Sequence, residues 1–310
     1  MPISASVIIP AHDAATFLAE AIASSLSQTL ESIEVIVVDD GSADATWDVI
    51  TAAAATDRRI RPIRRATAGG PSVARNAGLA VARGRWIAPL DADDLLAPDR
   101  LRSLTTQAEA RGADLVADNP ERRDYATGRQ LGRLLPEPLP KAPLGPLALV
   151  RGDMPDQPPE GKLGFLKPLI RREFLARHGL RYEEDIRVGE DFLLLFACLT
   201  QGARLQLLPE AGYIYRIRPD SLSAPGDGAL HLAAANRRMR AMAPAEDAPL
   251  VALLGQRQRL LDLDAFAQAV ATGQPAAALH HVVWGSPGLA LRQARIAAGA
   301  LRQHLRPAPH

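Results

Sequence analysis

Between residues 4 and 119, short and almost unbroken apolar runs alternate with segments of helical spacing, and this rhythm narrows the choice of folds more than any other feature. Residues 6–10 (SVIIP) and 34–38 (EVIVV) are apolar without alternation, as parallel strands are when helices cover both faces of their sheet. After the first run, Phe17, Leu18, Ala21, Ile22, Ser25 and Leu26 recur at helical spacing, with Asp13 or Thr16 expected as the cap. After the second, a helix is expected through Trp47, Val49 and Ile50 to Ala55, capped by Ser42 or Asp44. The same reading gives a strand over 59–64, a helix over 72–83 closed by Gly84, a strand over 86–90, a helix over 98–111 and a strand over 114–117. The expected class is α/β, a mostly parallel, Rossmann-like sheet with helices on both faces.

The rest of the chain changes character. Residues 133–159 are rich in Pro and lack periodicity, so a loop is expected there. Structure resumes at 164–179, followed by a helix over 192–201 and short strands over 205–208 and 213–217. After Ser223 the sequence is Ala-rich, helical in spacing and without strand signals. The expected division is an α/β unit over 1–223, made of a 1–119 half and a 120–223 half, and a helical C-terminal extension over 224–310.

Three strand ends carry unusual polarity: Pro10-Ala11-His12-Asp13, Asp39-Asp40-Gly41-Ser42 and Asp91-Ala92-Asp93-Asp94. Ligands of open parallel sheets sit beyond the carboxyl ends of the strands. One acidic strand end can be a helix cap; three on one edge point to a site. Asp91 and Asp93, one residue apart, can share a hard divalent cation such as Mg²⁺ or Mn²⁺, whose coordination is usually completed by water and substrate phosphates. Gly69 and Gly70 permit close backbone approach ahead of a helix whose N-terminus favours anions, and Arg75 offers a fork of donors.

The stretches SVIIPAHDAATFLAEAIASSLSQT, EVIVVDDGSADAT and GGPSVARNAGLAVARGRWIAPLDADD resemble the family 2 inverting glycosyltransferases of the GT-A fold, with all motifs in order. The resemblance continues more loosely at GEDFLLLFACL and YIYRIRPDSLS, to about Ser223. It implies a catalytic domain whose 1–119 half binds a nucleotide-diphospho-sugar, a UDP-sugar above all, and whose 120–223 half faces the acceptor. Carried over residue by residue, Pro10, Ala11 and His12 border the base, with His12 packing on its face in place of the family's usual Tyr. Asp40 accepts from the base. Gly70, Arg75, Asp91, Ala92 and Asp93 contact the rest of the donor, Asp91 and Asp93 hold the metal with Asp94 as an alternative helper, and Asp191 of the Glu190-Asp191 pair is the catalytic base. The acceptor implied is a glycan or a lipid-linked glycan of a bacterial envelope. A sugar-nucleotide pyrophosphorylase would need a basic Gly-rich first loop where this chain has PAHDAAT, and no G-x-G-x-x-G follows the first strand. An inactive sugar-nucleotide or polysaccharide-binding protein on the same fold is the rival of a different class.

The formal net charge of +1 shows no preference for nucleic acid, and the positive residues are Arg apart from Lys141, Lys162 and Lys167. Cys198 lies in an apolar run and is expected to be a core residue with no disulfide partner. The N-terminal residues lack the pattern of a signal peptide, and no window of eighteen apolar residues spans a membrane, so a cytoplasmic location is expected, at the inner membrane face if the acceptor is lipid-linked. Over 289–306 a helical wheel aligns Leu291, Ala294, Ala298, Leu301 and Leu305 beside Arg292, Arg295, Arg302 and Arg306. That stripe is expected to pack on the catalytic domain; a weak peripheral contact with an anionic membrane is the second expectation.

Overall fold

The apolar runs expected as strands occupy the middle of a seven-stranded sheet. The computed structural model describes residues 2–158, 160–218, 228–282 and 287–304. Its first half is β1 (Ala5–Ala11), α1 (Leu18–Leu26), β2 (Ile33–Asp40), α2 (Thr46–Thr56), β3 (Ile60–Arg65), α3 (Pro71–Val81) and β4 (Trp86–Pro89). There follow β5 (Leu95–Leu96), α4 (Arg100–Arg111), β6 (Leu115–Asp118), β7 (Glu121–Asp124), β8 (Gln130–Arg133) and α5 (Pro146–Arg151). Then come β9 (Leu169–Arg171), α6 (Arg172–His178), α7 (Glu190–Thr200), β10 (Leu205–Leu208) and β11 (Tyr213–Ile217). The C-terminal helices are α8 (Gly228–Met242), α9 (Ala248–Ala271), α10 (Pro275–His280) and α11 (Pro287–His304). The expected boundary at 223–224 lies outside the described residues.

The main sheet has the order β10-β6-β9-β4-β1-β2-β3 and is parallel except for β9, which runs antiparallel to both neighbours. Alternate side chains leave opposite faces of a strand. Val7, Ile9, Val35 and Val37 therefore pack with Leu18 and Ile22 of α1, Ile50 of α2 and Leu101 of α4. Ile8, Ile36 and Val38 enter the opposite core, with Ala74 of α3, the buried face of α7, and Ala235, Met239, Leu250 and Leu254 of α8 and α9. Helices α8 and α9 are continuous with this core, while α10 and α11 pack on α9 in a smaller cluster around Phe266, Ala269 and Ala278. Cys198 is buried, as expected, and burial pushes its thiol up to about 12.

Several local expectations need correction. The N-caps of α1 and α2 are Phe17 and Ala45, neither with a capping side chain. Asp13 and Ser42 instead tie the first two loops together, while Asp44, one residue before the cap position, still accepts from the Thr46 N–H. α3 stops at Val81, and Gly84 serves a different purpose from closing it: a Cβ there would stand 2.4 Å from the Ser6 nitrogen of β1. The 133–159 region holds α5, with Pro146 in its first turn and Leu149 and Val150 buried. Strands β5, β7 and β8 were not legible; they join β11 in a four-stranded sheet of order β5-β11-β7-β8. Two of them read ERRD and QLGR, with no apolar run to reveal them. α11 turns its expected stripe outward: Leu291 is 55% exposed and Ala294 and Ala298 are exposed, while Ile296 packs near Phe266 and Ala278. The reason is polar: buried Gln293 donates to the His281 carbonyl at 2.8 Å and fixes that face inward. The packing of Leu301 and Leu305 lies outside the described side chains.

One buried charge anchors the central strands. Glu34, 2% exposed in β2, is a carboxylate that burial would raise, but donors from Ser6, the Arg83 amide, Arg61 and the Arg83 side chain outweigh this and lower it to about 2. A pKa below the usual 4.5 adds stability above pH 4.5 that is lost as pH falls toward 2. Glu34→Gln should therefore lower unfolding stability at pH 7 by about 2–3 kcal/mol, with the difference from the unaltered protein shrinking below pH 4.5. Urea titrations at pH 7 and pH 3 check this; an equal difference at both would show that the charge contributes nothing.

Candidate active site

The parallel register, with Ala11 opposite Asp39 and β4 alongside β1, sets the carboxyl ends of β1, β2 and β4 on one edge. Pro10 and Ala11 end β1, with Ala11 buried, and His12 lies half exposed beyond them, its Nδ1 3.0 Å from the Asp40 carbonyl. The carbonyl can only accept, so Nδ1 carries the proton. The loops after β1 and β2 form one rim: Asp13 accepts from the Ala43 N–H at 2.8 Å, and Asp44 from the Ala15 N–H at 3.1 Å.

Asp39 and Asp40 are both buried at the end of β2. Asp39 accepts from the Ser42 N–H at 3.0 Å and faces Arg64 at 3.4 Å. Asp40 accepts from the N–H groups of Gly69 and Gly70, at 3.0 and 2.7 Å to Oδ2, and pairs with Arg65. Its carboxylate thus holds the glycine loop against the strand end, a role the sequence did not suggest. Gly70 has φ +93, a conformation that favours glycine, and leads into the N-terminus of α3.

One turn into α3, buried Arg75 reaches the centre of the site. It donates to Glu190 Oε1 and to Asp91 Oδ1, both at 2.6 Å, and stands 3.6 Å from Asp191 Oδ2. Burial opposes its charge, but Asp191, Asp91 and Glu190 outweigh that and hold the guanidinium firmly protonated. Lys167, between α5 and β9, supplies the other cation: its Nζ is 2.7 Å from Asp91 Oδ2 and 2.5 Å from Asp191 Oδ2. Two cations therefore bind three carboxylates drawn from β4's end and the start of α7.

The three aspartates after β4 have different environments. Burial would raise Asp91, but Lys167 and Arg75 hold it well below the usual carboxylate range. Asp93 pairs with Arg218 Nη2 at 2.8 Å, yet burial and the neighbouring Asp91 leave its carboxyl above the usual value. Asp94 is buried, with its oxygens taken by Tyr213 Oη at 2.7 Å and the Arg216 N–H at 2.8 Å. This fixes the turn, since Tyr213 Oη also accepts from the Asp91 N–H at 3.3 Å. Asp94 is thereby tied to β11. Ala92 is buried between the two outer aspartates. Among the described residues, no group of three or more His, Cys, Asp or Glu side chains is placed to hold a metal. Asp91 and Asp93 bring two carboxylates, hard oxygen donors, just beyond β4. That fits a cation completed by water and substrate phosphates.

The sequence missed Lys167 and Arg218. The signal for Lys167 was present: one of only three lysines, set in the apolar stretch GFLKPLI, where a charge needs buried partners. Arg218 gave no comparable signal. It stacks over Phe17 at 4.3 Å, a contact between distant segments.

A seven-stranded, mostly parallel sheet with an acidic strand end and a smaller second sheet is the fold of the GT-A glycosyltransferases. S. aureus TarS 1-349, solved in complex with UDP-GlcNAc, matches with TM-score 0.60 at 16% identity over 97% of this chain and 92% of that one. The mannosyltransferase PcManGT of Pyrobaculum calidifontis, solved with GDP-Man and Mn2+, matches with TM-score 0.59 at 22% identity over 97% of this chain and 83% of that one. The profile described as "Glycosyl transferase family 2" matches residues 6–167, and the chain belongs to that family. The succinoglycan biosynthesis protein ExoO of Rhizobium meliloti (strain 1021) is 41% identical over 219 residues, 70% of this chain and 61% of that protein. The chain thus spans about six-tenths of that relative's length.

Proposed function

We propose that the chain is a metal-dependent inverting glycosyltransferase, moving a sugar from a nucleotide-diphospho-sugar, in first place a UDP-sugar, to a hydroxyl of a glycan or lipid-linked acceptor in bacterial surface polysaccharide synthesis. The observation that carries this is the convergence of Asp91, Arg75, Lys167 and Asp191 within direct contact at the edge where β1, β2 and β4 end. Pro10, Ala11, His12 and Asp40 border the base, while Gly70, the start of α3 and Arg75 face the diphosphate. Asp91 and Asp93 would hold Mg²⁺ or Mn²⁺, which when bound supplies Lewis-acid neutralisation of the departing diphosphate. Arg75 and Lys167 add fixed positive charge beside the same place, already oriented before the reaction. Asp191 takes the proton of the acceptor hydroxyl as it attacks the anomeric carbon from the face opposite the diphosphate. One displacement inverts the centre once, with no glycosyl-enzyme intermediate.

An inactive binding protein on this fold would have no need of an intact Asp91, Asp93 and Asp191. Thermal-shift measurements with UDP- and GDP-sugars, with and without Mn²⁺, should show a Mn²⁺-dependent rise for one donor class, because ligands that bind the native state stabilise it. The bound donor should then release nucleotide on incubation; binding without release would select the inactive reading. No helix among the described residues is long and apolar enough to cross a membrane. The outward Leu291 with exposed Arg292 and Arg295 suits a weak contact with anionic lipid, where a lipid-linked acceptor would lie. Sedimentation with anionic liposomes should show low-salt binding that vanishes when 287–310 are removed; no low-salt binding would refute it.

A further inference from the structure

We propose that α8 is part of the catalytic apparatus: it clamps the loop over 182–189 and so sets the position of Asp191, with Arg238 as the positioning residue. This rests on the reading of Asp191 as the base. The loop passes between α3 and α8 immediately before α7 begins. On the α3 side, Ser72 Oγ donates to the Ile186 carbonyl at 2.7 Å, Asn76 Nδ2 donates to the Tyr182 carbonyl at 2.9 Å, and the Tyr182 N–H donates to Asn76 Oδ1 at 3.0 Å. The α8 side is held at four points. Arg238 donates to Glu183 Oε2 at 2.9 Å and spans both oxygens of Asp185, at 2.7 and 2.5 Å. The Arg187 N–H donates to His231 Nδ1 at 3.3 Å. Val188 borders Gly228, and Leu232 lies over Gly189, where an added Cβ would meet Leu232 Cδ2 at 2.8 Å.

Gly189 is the residue before α7 and has φ +83, so it sets the angle at which Glu190 and Asp191 enter the site. An anchor must itself be fixed to act as one. Asn236 of α8 donates to the Leu254 carbonyl at 3.1 Å and to Gln258 Oε1 at 2.8 Å. Arg257 of α9 donates to Asn236 Oδ1 at 3.1 Å and to Asp153 Oδ2 at 2.7 Å, all within the buried interior. The path from Asp153, beside α5, through α9 and α8 to the loop is continuous. Exposed ion pairs contribute little to stability, so the forked Arg238 clamp is expected to act on geometry. Displacing a reacting group by about 1 Å can cost about 10²-fold in rate.

The test uses the full chain with Mn²⁺ and the UDP- or GDP-sugar giving the largest thermal shift, read as nucleotide release. Arg238→Ala should lower kcat by about 10–100-fold with KM and nucleotide binding near those of the unaltered protein. Arg238→Lys should restore part of the loss. Adding Arg238→Ala to Asp191→Asn should cost nothing further, because the group being positioned is already disabled. Full turnover in Arg238→Ala overturns the proposal, as does an equal further loss in the Asp191→Asn background. If Arg238→Ala loses nucleotide binding or melts early, the loop side decides: Glu183→Gln combined with Asp185→Asn must show the same kcat loss, and full activity there refutes the clamp. Failure of the underlying reading looks different, since Asp191→Asn alone would then keep full turnover.

Discussion

Asp191→Asn is expected to lower turnover by about 10²–10⁴-fold while nucleotide affinity in the presence of Mn²⁺ is kept. The amide preserves the shape at the start of α7 and can still accept from Lys167, but it cannot take a proton from an acceptor hydroxyl. Lys167 and Arg75 keep partners in Asp91 and Glu190, so the site's positive charges are not left uncompensated. Steady-state kinetics with calorimetry of UDP binding measures both quantities. Near-normal turnover would move the base to the adjacent Glu190 or elsewhere.

Asp93→Ala should fail in a different way. Burial and the neighbouring Asp91 push its carboxyl above the usual value despite Arg218, and together with Asp91 it would hold the proposed divalent cation. Removing it should abolish transfer and also remove the enhancement of UDP binding by Mn²⁺. Calorimetric titration with UDP, with and without Mn²⁺, reads this directly. A variant still bound more tightly in Mn²⁺ would place the metal on other residues. The two variants separate donor capture from chemistry: Asp191→Asn keeps the Mn²⁺ effect and loses turnover, whereas Asp93→Ala loses both.

The centre of the first half was legible because β1, β2 and β4 are buried on both faces and therefore carry unbroken runs such as SVIIP and EVIVV. In the second half the helix expected over 192–201 and the strands expected over 205–208 and 213–217 correspond to α7, β10 and β11, whereas β7, β8 and β9 were not legible. β9 is three residues long, and β7 and β8 are short strands of mostly polar residues that pair with each other, joined to the sheet only through β7 and the distant β11. Within the site, the acids were visible as clusters at strand ends, and the structure does bring Asp91 and Asp191 to a common cation. Of the basic residues that organise them, Arg75 was visible and Lys167 left a signal in its apolar stretch, while Arg218 acquires its meaning only when distant segments meet. The caps expected from Asp13 and Ser42 failed for the same reason: the two loops lie side by side, and each residue found a partner in the other loop rather than in its own helix.

The reversed strand β9 has a consequence for how the chain is made. It fills the gap between β4 and β6, pairing with Trp86 and Ile87 on one side and with Leu115 and Val116 on the other. Until residue 171 has left the ribosome, both of those strands present bare, apolar, unpaired edges, the kind of surface that recruits other chains. The segment up to β6 therefore emerges first yet stays an open template for some fifty residues of further synthesis, counted from β6 at 118 to β9 at 169. The strand that relieves this begins two residues after Lys167, so closing the gap between β4 and β6 and delivering the central cation of the site are one event in the life of the chain.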